Sequence, residues 1–110
     1  MKFLSVFRSV ETGAAPTPEM IAKMGKLIEE MTRAGVLLAT EGCLPSNLGM
    51  RVRQANGKIT VTDGPFTESK EVIGGFALFR TPSKADAIEW TRRFLALAGD
   101  GECEIRQIAE

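Results

Sequence analysis

Two segments of this chain, Lys2 to Arg8 and Val72 to Arg80, carry apolar residues on both of their faces. In the first, Phe3 and Phe7 lie on one side with Ser5 between them, and Leu4 and Val6 on the other. In the second, Val72, Phe76 and Leu78 oppose Ile73, Ala77 and Phe79. A strand that is apolar on both sides needs cover on both sides, which places these two at the centre of a sheet.

The segments between and beyond them complete a pattern. Thr17-Pro18-Glu19 is a helix start, with a capping hydroxyl, proline at the first helical position and an acid in the first turn. Met20, Ile21, Met24, Leu27, Ile28 and Met31 follow at helical spacing, and Gly35 stops the helix. The methionines read as core filler. Val36 to Thr40 is a strand and Glu41 to Asn47 a loop. Arg51 to Gln54 and Lys58 to Thr62 flank Ala55-Asn56-Gly57, and Asn-Gly between alternating segments signals a hairpin. Ser83, with Asp86 three residues on, caps a second helix whose apolar face is Ile88, Phe94, Leu95 and Ala98. Gly99 ends it, and Cys103 to Ile108 is the last strand.

The order is strand, helix, strand, hairpin, strand, helix, strand. This is the split βαβ, ferredoxin-like α+β pattern with a hairpin insertion. Both helices cover one face of an antiparallel sheet, and the other face is left apolar. An uncovered apolar sheet face on a small protein is an interface or a ligand cavity. The expectation is a homodimer in which two sheets pack face to face.

The chain of 110 residues is one domain, residues 1–110, with a modest core. Its net charge is zero, and no run of like charges exceeds two residues. This excludes the basic face of a nucleic-acid binder and a polybasic membrane anchor. The N-terminal apolar run is too short for a signal peptide, and no stretch approaches a membrane span. A cytoplasmic protein is expected. There is no histidine, so acid–base chemistry falls to Asp, Glu, Lys or Cys. No metal and no cofactor are expected. Cys43 and Cys103 form no CxxC pair and read as free thiols, with Cys43 lacking a partner to activate it.

The stretch Asp63-Gly64-Pro65-Phe66-Thr67-Glu68-Ser69-Lys70-Glu71 resembles the signature of the DGPF proteins, part of the YCII-related family. The resemblance extends to Met1–Phe7, the Glu41-Gly42-Cys43-Leu44-Pro45 loop, Ile73-Gly74-Gly75-Phe76, Ala87-Ile88-Glu89-Trp90 and Glu104-Ile105-Arg106. It implies a ferredoxin-like fold in a dimeric α/β-barrel arrangement. Some DGPF proteins are encoded beside, or fused to, extracytoplasmic-function sigma factors, so the resemblance also suggests a sigma-factor partner. A histidine–aspartate pair proposed for the wider group has no histidine to map onto here, and only Asp63 compares with its acid.

The residues themselves make the 63–75 segment the candidate site. Asp63 is expected to cap the turn, Pro65 to end the preceding strand, and Phe66 to plug the core under the loop. Glu68, Lys70 and Glu71 form a charge cluster; if it is buried, Asp63 or Glu68 becomes a usable base, with Lys70 or an arginine stabilising charge. Arg51 and Arg53 share a strand face and could clamp an anion. Gly74-Gly75 is expected to make room for the 63–66 loop. The leading reading is a small-ligand-binding or regulatory module whose pocket lies between the sheet and the 63–71 loop. Candidate ligand-binding residues are Asp63, Glu68, Lys70, Glu71, Arg51 and Arg53. The alternatives are an enzyme doing proton transfer or elimination on a small carbonyl or carboxylate compound, and an interaction partner of a sigma factor.

Overall fold

A computed structural model describes all 110 residues. The chain runs β1 (Lys2–Ser9), α1 (Pro18–Arg33), β2 (Leu37–Gly42), β3 (Met50–Ala55), β4 (Lys58–Asp63), β5 (Val72–Arg80), α2 (Lys84–Ala98) and β6 (Glu102–Gln107), with a short 3-10 turn at Ser46–Leu48 in the expected loop. Four strands form an antiparallel sheet in the order β2-β5-β1-β6, while β3 and β4 pair only with each other. The two strands that are apolar on both sides are the central pair, and the ferredoxin-like order expected from the pattern is present.

The helix termini follow their local chemistry. Thr17 Oγ1 accepts from the Met20 amide at 3.1 Å, and Gly35 follows α1 at φ +73°. Ser83 Oγ accepts from the Asp86 amide at 3.2 Å and donates to the Asp86 carboxylate at 2.9 Å. Asn56 and Gly57, both at positive φ, make the tight turn of the β3–β4 hairpin.

Register sorts the sheet's two faces. Phe3 pairs with Phe79, Ser5 with Ala77, Phe7 with Gly75, and Ser5 and Phe7 with Ile105 and Cys103 on the other side. Phe3 and Phe79 are buried with Ala87 of α2, and Phe7 meets Phe94 of α2 edge-on at 5.2 Å, so this face carries the helices. The opposite face holds the pairs Leu4–Leu78 and Val6–Phe76, with Phe76 still 38% exposed. A bulge between Phe7 and Arg8 skips Gly74 and sets Ile73 opposite Arg8, so Ile73 moves to this open face, against the simple alternation expected of it.

Two helix faces differ from expectation. In α1, Leu27 and Met31 are buried, but Ile21 is 60% exposed, so only the C-terminal half of the methionine stripe is packed. In α2 the inner residues are Ala87, Trp90, Thr91 and Phe94, while Ile88 is 51% exposed. The small Ala87 lets the helix come down onto Phe3 and Phe79, and that contact, more than summed hydrophobicity, sets the rotation of α2. Only eight residues are buried in all.

Candidate functional site

Arg51 organises the 63–71 segment. Its guanidinium donates to Glu68 Oε1 at 2.5 Å and to Ser69 Oγ at 2.9 Å, and stands 3.9 Å from the centre of the Phe66 ring. The loop is further tied to the 3-10 turn. The Gly64 amide donates to the Gly49 carbonyl at 2.9 Å, the Phe66 amide to Ser46 Oγ at 3.4 Å, and the Ser46 amide to Glu11 at 2.7 Å. A Cβ at Gly64 would collide with the Ser46 carbonyl, so the glycine is required by close packing of two backbones.

The six residues singled out from the sequence are all exposed, and they do not converge. Only Arg51 and Glu68 meet. Asp63 ends β4 without capping the turn, whose Gly64 amide goes to Gly49 instead. Arg53, Lys70 and Glu71 are free on the surface, so the Glu68-Lys70-Glu71 cluster is not formed: Arg51, held on a strand, takes the Glu68 carboxylate. Phe66 packs against Arg51 and the Gly49 backbone, not in the core, because the loop lies beside the hairpin base. The Glu68 carboxyl is held below its ordinary value, first by its own backbone amide and then by Arg51. That is opposite to the raised pKa a general base requires near neutrality.

The cavity is elsewhere. About 360 Å³ of space lies between the sheet and the two helices. Ser5, Phe7, Gly75, Ala77 and Cys103 form its floor; Met24, Leu27, Ile28 and Met31 of α1 and Trp90, Thr91 and Phe94 of α2 form its walls. None of the six expected residues lines it. It exists because the middle of the inner sheet face is small, with Ser5 paired to Ala77 and Gly75 next along β5. Gly74 and Gly75 were expected to admit the 63–66 loop. Their neighbours are different: a Cβ on Gly75 would stand 2.7 Å from the Glu41 carbonyl oxygen, and one on Gly74 3.2 Å from the Phe7 ring. The glycines admit β2 and Phe7, and leave the cavity floor bare.

The groups facing this space are mostly apolar. No Lys or Arg lines the space, and Glu41, at its rim, pairs with Phe76 in register with the sheet's outer face. The polar groups are the hydroxyls of Ser5, Thr40 and Thr91 and the Cys103 thiol. Burial pushes the Cys103 thiol up, offset in part by a hydrogen bond with Ser5. Cys43 is exposed. No three potential metal-ligating side chains come together, and no helix is long and apolar enough to cross a membrane. The sequence signal for the cavity was the small residues Ser5 on one strand and Gly75 and Ala77 on the other, set among Phe3, Phe7 and Phe79 and read only as a two-sided apolar pattern.

An uncharacterized protein of Rhizobium meliloti (strain 1021) is 32% identical over 77 residues, which cover 69% of this chain and 62% of that protein. The family model of the YCII-related domain matches residues 1–110 from end to end. The chain therefore belongs to the YCII-related family.

Proposed function

We propose that this protein is a dimeric small-ligand-binding module that takes an uncharged, largely apolar molecule in the cavity between its sheet and helices. The observation that carries the reading is that cavity: its ≈ 360 Å³ falls within the size range of small-molecule sites, and its walls are mainly apolar with a few hydroxyls. An anion would find no Lys or Arg inside it, so a neutral ligand fits the space better than the anion that Arg51 and Arg53 could have clamped. Asp63, Glu68, Lys70, Glu71, Arg51 and Arg53 enter this reading as the clasp and surface of the loop, not as ligand contacts. The acid–base alternative loses its support with the exposure of Asp63, Glu68 and Glu71. A sigma-factor partner rests on the family resemblance alone.

The dimer rests on surface area. The chain exposes 7984 Å², whereas a folded monomer of its mass exposes about 6000 Å². The Cα radius of gyration is 15.6 Å, against about 13 Å for a compact chain of this length. The excess, about 2000 Å² per chain, is more than a standard interface takes from each partner. The open face of Leu4, Val6, Ile73, Phe76 and Leu78 supplies part of it, and two such faces packed together give the dimeric α/β-barrel arrangement.

Trp90 is the single tryptophan and lines the cavity, so its emission reports occupancy. Titration with the uncharged dye N-phenylnaphthylamine is expected to quench Trp90 and, at about a hundred times its dissociation constant, to raise stability by about 2.7 kcal/mol. Ala77→Leu, which fills the floor, should abolish both effects while leaving circular dichroism and dimer mass intact. Absence of binding up to the solubility of the dye, or equal binding by Ala77→Leu, refutes the reading.

A further inference from the structure

The β3–β4 hairpin is unfinished within this chain. All twelve residues of its two strands are exposed. Cross-strand pairing of Val52 with Val61 and Gln54 with Ile59, with Met50 alongside, gives one apolar face on which Met50, Val52, Ile59 and Val61 are 61% to 65% exposed. The other face, with Arg51, Arg53, Thr60 and Thr62, is polar. The chain's own 66–69 loop fastens to that polar face, through Arg51 to Phe66, Glu68 and Ser69. The apolar face is left to solvent. A two-stranded ribbon in water is marginal by itself, so a ribbon built this way needs a cover.

We propose that the β3–β4 hairpin is an arm that lays its Met50, Val52, Ile59 and Val61 face on a second copy of this chain. The proposal rests on the dimer reading above and extends it to a surface outside the sheet. Three observations favour a second copy as the occupant. The chain carries about 2000 Å² more exposed surface than a monomer of its mass, and the hairpin, exposed at every strand residue, contributes to that excess. Its net charge is zero, so two copies approach without electrostatic repulsion. The base of the arm is already held, by the Gly64–Gly49 hydrogen bond and the Arg51 contacts, so docking orders little that is not ordered beforehand.

The test uses the full chain. Val52→Lys with Val61→Lys puts two charges side by side on the apolar face. Thr60→Glu, opposite Arg53 on the polar face, is the control. Sedimentation equilibrium should give a wild-type dimer at micromolar concentration, and hydrogen exchange should show protected hairpin amides in it. The double variant should dissociate at least about a hundredfold more readily, with hairpin amides exchanging freely and dye binding in the cavity retained. Thr60→Glu should match wild type. A double variant that dimerises as tightly as wild type, or freely exchanging hairpin amides in the wild-type dimer, overturns the arm and leaves the sheet-face dimer standing. A wild-type chain that stays monomeric throughout, or whose hairpin becomes protected only on binding a different protein, overturns the arm as well, and the monomer overturns the dimer with it.

Discussion

Replacing Gly75 and Gly25 in turn by alanine should move stability in opposite directions. Gly25 lies inside α1, is exposed, and would place a Cβ with nothing within 4 Å. Alanine there gains helix propensity, about 0.5–1 kcal/mol. Gly75 also lies in a regular element, and on chain entropy alone alanine would help by about 0.4–1 kcal/mol. Its Cβ, however, would stand 2.7 Å from the Glu41 carbonyl oxygen and 3.3 Å from Gly42 Cα. Both are backbone atoms of β2 and cannot rotate away, so the strand must shift. That loosens the Glu41–Phe76 and Gly42–Gly75 pairing and the 2.9 Å bond from the Cys43 amide to the Gly74 carbonyl. Overpacking of this kind costs about 1–3 kcal/mol and outweighs the entropic gain. The assay is thermal and urea unfolding followed by circular dichroism and Trp90 emission, at one fixed protein concentration. Gly25→Ala should raise the melting temperature and Gly75→Ala lower it, by about 4–8 °C per kcal/mol. Because Gly75 also floors the cavity, Gly75→Ala should weaken dye binding. A Gly75→Ala protein as stable as wild type would show that β2 and β5 do not approach as described, and the account of the cavity floor would fall with it.

Two further outcomes follow from the same geometry. Arg51→Met should leave the melting temperature nearly unchanged, since exposed ion pairs contribute little, but should release the 66–69 loop; faster hydrogen exchange and proteolysis confined to that loop are the check, and an unchanged loop refutes the clasp. Burial raises the Cys103 pKa above its ordinary 9.0, so the folded state holds the thiol proton more tightly than the unfolded one. The associated stability is complete below that ordinary value and is lost as pH rises through the folded pKa. Iodoacetamide should therefore label Cys103 more slowly than exposed Cys43, bound dye should slow Cys103 alone, and Cys103→Ala should flatten the alkaline fall in stability.

How far the chain could be read in advance depended on the range of the interaction involved. Thr17, Ser83, Asn56-Gly57 and Gly35 act through backbone groups a few residues away, and each does in the structure what its local chemistry dictates. The apolar periodicities of residues 2–8 and 72–80 sufficed to place β1 and β5 at the sheet centre, because a two-sided apolar strand has no other soluble position. The site was less legible. Lys70 is near Glu68 in sequence and within its reach, but Arg51, seventeen residues away, takes it from a neighbouring strand. The helix rotations were missed because side-chain volume at one contact, Ala87 on Phe3 and Phe79, decides them.

By itself, then, the sequence determined the elements, their order, the ferredoxin-like sheet and its one uncovered face. These follow from backbone capping, turn conformations and hydrophobic period, which are local or nearly so. Only the tertiary structure decided where the empty space lies. Ser5, on β1, and Gly75 and Ala77, on β5, are ordinary small residues in two separate stretches of alternation until register sets them together. A cavity is a property of what neighbours across strands fail to fill, and no single strand's pattern records it.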